Sequence, residues 1–206
     1  MDNQMSSRTD AELWSRAARG DHAAFGDLFD RHSRSIYNFC FRRTADWAAA
    51  EDLVASVFLE AWRKRGSVKI AANGSLLPWL YGVAMNLLRN RGRRQRRLVV
   101  AMQRLRGETH EMDPSGDAAS HMESARQMRA VLHWVEQLPR RERDVLYLCV
   151  FAELAYADAA LVLGVPIGTV RSRLSRARAR LRELQGRTRH TEDTTPRERG
   201  VADDAA

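Results

Sequence analysis

Along the first half of the chain, apolar residues recur at three- and four-residue intervals, the period of helices that bury one face. Thr9 and Glu12 stand at capping-box spacing ahead of a short helix that Gly20 closes. Asp21 opens a second helix with the stripe Phe25, Leu28, Phe29, His32, Ile36, Tyr37 and Cys40. Asp46 opens a third, carrying Ala50, Leu53, Val54, Val57, Phe58, Ala61 and Trp62 and ending at Gly66. A polar loop over 67–77 leads to Pro78, suited to a first helical turn, and to a fourth stripe of Leu80, Val83, Ala84, Leu87 and Leu88. No strand-like alternation interrupts this half, which predicts a four-helix domain.

Periodicity stops over 107–120, where Gly, Pro, Asp, Glu, Ser and Thr predominate, the composition of a flexible linker. It resumes near Glu123 with Met128, Val131, Leu132 and Val135 and passes through Leu138 and Pro139 into a helix with Val145, Leu146, Leu148 and Cys149. Residues 156–176 then read as a short helix, a glycine turn and a basic second helix. Small Ala160 lets two helices approach, Gly164 supplies a positive φ, and Val170, Leu174, Ala177 and Leu181 form the inward stripe. That is the layout of a DNA-reading helix-turn-helix. The expected fold is all-α: two small helical domains over 10–106 and 123–186, a flexible linker over 107–122 and a disordered tail over 187–206.

Charge sharpens the reading. The net charge is +8, and of the 34 cationic residues only Lys64 and Lys69 are lysine. Arginine's planar fork suits phosphate and guanine contacts, so a polyanionic partner is expected. Two clusters carry the excess: six arginines within 89–97 without an acid, and eight within 171–189 against the single acid Glu183. A face kept for solubility would mix signs.

Several function classes fall away. The histidines show neither metal-ligand spacing nor a partnered nucleophile, and no Gly-rich phosphate loop precedes a helix, so no enzyme, cofactor or metal is expected. A helical metal hydrolase built from His22, Asp27, Asp30 and His32 stands as a formal alternative. Cys40 and Cys149 are far apart and read as small core residues. No stretch approaches the roughly 20 apolar residues of a membrane span, and residues 1–20 lack a signal-peptide core, so a cytoplasmic protein without membrane insertion is expected.

Four strings in order bring a family into view. They are 50–63, with Glu51-Asp52-Leu53-Val54 and Trp62; 79–90, opening Trp79-Leu80-Tyr81-Gly82; 138–146, opening Leu138-Pro139; and the helix-turn-helix. Together they resemble bacterial sigma factors of the extracytoplasmic-function (ECF) subfamily, the minimal kind with only regions two and four. At Ala55 and Ser56 the chain departs from the Gln and acidic residue the family commonly carries there.

The resemblance implies a factor that binds core RNA polymerase and directs promoter-specific initiation, with an anti-sigma factor as a further partner. It makes Asp52, Leu53, Val54, Phe58 and Trp62 candidates for polymerase docking, while Leu53, Val54 and Phe58 read equally as the core stripe that any amphipathic helix needs. Asn86, Arg89, Asn90, Arg93, Arg94 and the loop residue Asn73 become candidates for the minus-ten element. Thr169, Arg171, Ser172, Arg173 and Arg176 become candidates for the minus-thirty-five element. Trp79 and Tyr81 read as core residues at the start of an amphipathic helix, with a second reading as base-stacking groups. The runner-up function is an autonomous helix-turn-helix regulator, which the second half alone supports equally.

Overall fold

The computed structural model of the protein describes residues 8–68, 70, 74–105 and 119–192, with side chains for all but 96, 99–121 and 186–192 of these. Eight α-helices are present among the described residues: α1 (Asp10–Ala18), α2 (His22–Thr44), α3 (Trp47–Lys64), α4 (Leu77–Leu105), α5 (Ala119–Glu136), α6 (Arg140–Leu146), α7 (Tyr156–Leu163) and α8 (Ile167–Glu192). No strand occurs among the described residues, as the helical period predicts. Most of the expected linker lies outside the described residues, as does the tail beyond Glu192.

Local signals place the N-terminal helices. Thr9 and Glu12 form the reciprocal capping box of α1, and Asp21 and Asp46 accept the amides of Ala24 and Ala49 to cap α2 and α3. Each such cap stabilises its helix by about 1 kcal/mol. The apolar stripes then pack on one another, with Leu28, Ile36, Phe39, Val57, Ala61, Leu80 and Ala84 fully or almost fully buried. Trp14 closes one end of this core, 5.9 Å from the Trp79 ring, and its Nε1 donates to the Val68 carbonyl at 3.2 Å. Trp79 and Tyr81, the latter 4.9 Å from Phe39, therefore belong to the packing and not to an open stacking face.

One buried polar knot ties three helices together. The Asp10 carboxylate accepts from Arg31 at 2.7 Å and from the Leu76 amide at 2.8 Å, and meets His32 Nε2 at 2.8 Å. It thus joins the start of α1, the middle of α2 and the entry to α4. Burial disfavours its charge, but the bonds to His32, the Leu76 amide and Arg31 prevail and hold the carboxyl well below the usual carboxylate range. His32 is committed to this knot, and His22 lies 4.6 Å from the Trp62 ring, so the four residues of the metal-hydrolase alternative do not converge.

In the second half, Val145, Leu148, Ala159, Val170, Leu174 and Ala177 form the core, which matches the predicted inward stripe. α6 passes directly into a π-helical segment, Tyr147–Phe151, where an unbroken α-helix was the expectation. At the turn, Gly164 has φ 64° and Val165 donates to the Ala160 carbonyl at 3.1 Å, the bond of a Schellman ending. An added Cβ at Gly164 would touch nothing within 4 Å, so only backbone strain opposes a side chain. A Gly164→Ala chain is expected to lose about 1 kcal/mol, a fall in Tm of roughly 3 °C by calorimetry.

α8 runs to Glu192, six residues past Gly186, where the sequence reading ends the domain and begins a tail. Loss of an apolar stripe marks the end of packing, but residues 187–192 contain neither Gly nor Pro, so no strong helix breaker stands there. The two halves also touch. α4 lies against α7, α2 meets α5 and the π segment, and one apolar cluster runs through both domains. Linker composition says nothing about such docking.

Candidate nucleic-acid interface

α4 presents a cationic stripe to solvent. Asn86, Asn90, Arg93, Arg94 and Arg97 are all exposed, and their spacing puts them on one helical face. The opposite side carries Leu80, Ala84 and Leu88 into the core, so packing orients the stripe outward. Arg89 departs from this pattern: it turns to the second half, where Nη2 donates to the Asp144 carboxylate at 2.9 Å. It is not free on the solvent face with its predicted companions. Asn73 lies outside the described residues.

The same geometry sorts the candidates on α8. With Val170, Leu174 and Ala177 buried, a 100° advance per residue centres the outward face on Ser172 and Arg176. Thr169 and Arg173 fall on one flank, both half-buried, and exposed Arg171 falls on the other. Ser172 Oγ donates to the Thr169 carbonyl at 3.1 Å, while Arg176 and Arg180 stand 4.0 and 3.5 Å from Glu142 of α6.

Between the halves lies a cleft of about 380 Å³ lined by Arg43, Arg89, Arg91, Arg93, Arg140 and Arg143, with Asp46, Glu136 and Asp144 among them. Burial lowers the affinity of the Arg43 guanidinium for its proton, while Tyr147 and Asp144 support its charge. Both cysteines are removed from this chemistry: burial pushes the Cys40 thiol up to about 12 and raises Cys149. Thiols so raised are poor nucleophiles.

On α3 the polymerase candidates divide. Asp52 is exposed, but Leu53, Val54 and Phe58 are buried, and Trp62 is half-buried against Phe25 and under the Arg65 guanidinium. Of the two readings open for Leu53 and Phe58, core stripe or polymerase contact, the free chain has both in the core. Val54 keeps an edge in an open apolar groove of about 400 Å³ with Phe29, Tyr37, Glu51 and Ala55. Phe29 is 40% exposed, so one member of the predicted α2 stripe faces out. Sequence period cannot show this, because a stripe wider than the core contact leaves its edge residue in water.

A scan against family models matches Sigma-70 region 2 over residues 28–98 and Sigma-70, region 4 over residues 128–181. The chain is 32% identical over 180 residues to the RNA polymerase sigma-H factor of Pseudomonas aeruginosa, spanning 82% of this chain and 90% of that one. The chain belongs to the ECF group of sigma-70-family sigma factors. It is also 32% identical over 179 residues to the ECF RNA polymerase sigma factor SigM of Mycobacterium tuberculosis, covering 87% of this chain and 86% of the other. Among solved structures, the sigma factor RpoE from Bartonella quintana, in complex with the anti-sigma factor NepR, superposes with a TM-score of 0.57 at 26% identity. That match covers 79% of this chain and 96% of that one. In this sigma factor, α2–α4 carry the region 2 match, and α6, α7 and the first part of α8 lie within the region 4 match.

Proposed function

We propose that this sigma factor binds core RNA polymerase and reads a promoter at two places. The observation that supports it best is the pair of outward cationic faces, one on α4 and one on α8, set in regions 2 and 4 respectively. The domain over 10–106 takes the minus-ten element. Asn86, Asn90, Arg93 and Arg94 hold the separated strands, and Arg89 joins them once released from Asp144. Extruding a base costs a few kcal/mol, which edge hydrogen bonds and backbone neutralisation offset. The domain over 123–186 sets α8 in the major groove of the minus-thirty-five element, with Ser172 and Arg176 toward base edges and Thr169, Arg171 and Arg173 toward phosphates.

Docking uses Asp52, the Val54 edge of the apolar groove and Trp62. An apolar strip with one acid fits a basic helical partner. Sigma factors are initiation factors, so the polymerase supplies the chemistry and no catalytic step is assigned to this chain. An anti-sigma factor that covers both domains is a fitting regulator, given the solved complex of a relative with one. Among the described residues no helix is long and apolar enough to cross a membrane, in keeping with work beside cytoplasmic polymerase.

Run-off transcription with purified core polymerase on genomic fragments tests the assignment. The parent chain is expected to direct discrete starts. Asp52→Arg should weaken holoenzyme formation about tenfold, the effect of setting a like charge against a basic partner, while its circular dichroism stays unchanged. Tight binding to a palindrome without polymerase would instead favour the autonomous regulator.

A further inference from the structure

The cleft between the two halves carries more positive charge than its own acids answer. Its lining holds six arginines against three carboxylates, an excess of three positive charges around about 380 Å³. Asp144 serves three of those arginines. Only Arg89 Nη2 reaches it at hydrogen-bond distance, 2.9 Å, while Arg43 and Arg140 each stand at 3.9 Å. Arg91 lies 3.9 Å from Asp46, and both are about half-exposed. Arg143 Nη1 donates to the Glu136 carbonyl at 3.2 Å, a neutral acceptor. Arg93, on the exposed edge of the cleft, meets no acceptor among the described residues.

Like charges set this close repel more strongly beside a protein interior than in water. Arg43 shows the effect. Its side chain is only 16% exposed, and burial disfavours its charge. Tyr147 and Asp144 support that charge, but Arg143 and Arg89 oppose it. Arg89 has a further unmet need: its Nε is buried with no acceptor among the described residues, and a buried donor without a partner is disfavoured. A further anion in the cleft would offset the repulsion and bring acceptor oxygens beside Arg89.

Size and charge narrow the class of anion. The volume lies at the small end of the roughly 300–1,000 Å³ of small-molecule sites, so the cleft admits a compact ligand and not a duplex. One phosphate carries about 1.5–2 negative charges, which leaves part of the excess unmet, whereas two linked phosphates match it. Guanidinium forks bind phosphate oxygens two at a time, with a geometric fit that a lysine would lack. Buried Leu88, Leu132 and Tyr147 add an apolar floor on which a nucleobase can lie.

We propose that this cleft is a binding site for a pyrophosphoryl group, either free or carried by a nucleoside di- or triphosphate. Arg93, Arg140 and Arg143 make the direct contacts, and Arg43 supports the bound charge from the buried side. The site belongs to the free chain, goes beyond the promoter reading and stands or falls without it.

Titration calorimetry of the full chain, without polymerase, DNA or magnesium and at about 0.15 M salt, tests the site, because diffuse surface attraction is largely screened there. The probes are inorganic pyrophosphate, adenosine triphosphate and adenosine. Both phosphorylated probes are expected to bind saturably at one site per chain, and adenosine is not. Arg93→Ala and Arg140→Ala should each weaken binding at least about tenfold, the loss of one charge-assisted contact. Arg63→Ala removes the same charge from an exposed position on α3 outside the cleft and should change affinity less than about twofold. Circular dichroism of all three variants should match the parent, since Arg63, Arg93 and Arg140 are exposed.

The two phosphorylated probes also separate the possible sources. Equal affinity for both assigns the site to the free pyrophosphoryl group, and tighter binding of the triphosphate assigns it to a nucleotide whose base meets the apolar floor. Three results overturn the proposal: no saturable binding of either probe, equal weakening by Arg63→Ala and the two cleft variants, or adenosine binding as tightly as its triphosphate.

Discussion

An Asp10→Ala chain is expected to lose about 3–5 kcal/mol of stability, the usual result of removing one partner from a buried ionic knot. That is a large share of the roughly 5–15 kcal/mol that holds a typical domain together. The variant leaves His32 buried beside a void, Arg31 without its carboxylate and the Leu76 amide without an acceptor. Because α1, α2 and the entry to α4 meet there, the loss should appear as a lower urea midpoint for the whole N-terminal half. The pH dependence follows from the lowered carboxyl. A group more acidic folded than unfolded binds fewer protons when folded, so its stabilising contribution is full above the ordinary carboxylate range and fades as pH falls through it. Asp10→Asn should therefore be less stable than the parent at pH 7, with the gap narrowing below about pH 4. Parallel stability curves for the two chains across that range would refute the account of the knot.

The second large effect concerns promoter choice. Arg176→Ala is expected to cost about 1–3 kcal/mol in binding the preferred minus-thirty-five sequence, roughly 5- to 150-fold, and to relax preference at one or two base pairs. Arg171→Ala should instead weaken all sequences alike and reduce the salt slope by about 1, as a phosphate contact does. Competition binding of holoenzyme to a library of altered elements separates the two. Equal loss of specificity in both variants would show that the face geometry of α8 does not sort base readers from phosphate clamps. The distinction depends on burial: Val170, Leu174 and Ala177 fix the inward direction, Arg176 stands about 50° from the outward direction, and Arg171 stands about 90° from it, at the edge.

Much of the local organisation was readable residue by residue. Thr9 with Glu12, Asp21 and Asp46 announced three helix starts, and each makes the bond its position implies. Gly164 announced the turn, and the stripe from Val170 to Ala177 announced the packed side of α8. The region 2 and region 4 matches were visible in the order of four strings. Signals that act over three or four residues depend on bonds between neighbours in the chain, and sequence carries those directly.

Other features had no such local sign. The π segment at Tyr147–Phe151 sits where the apolar period alone implies an unbroken α-helix. Phe29 lies on the α2 stripe yet faces out, while Leu53 and Phe58, which the period leaves open between core and polymerase contact, lie in the core. Nothing near Asp10 in the chain points to Leu76, 66 residues away.

Sequence alone determined that this protein is helical, that it carries two clusters of arginine and that it is a sigma factor of the ECF group. The tertiary structure alone decided which arginines face outward. Arg93, Arg94 and Arg176 remain outward, whereas Arg42, Arg43 and Arg89 turn inward to Phe151, Tyr147 and Asp144. The physical reason is that an arginine has no intrinsic preference between a phosphate in solution and a carboxylate or ring across an interface. Its choice is set by which acceptor the packing of distant helices brings within about 3–4 Å.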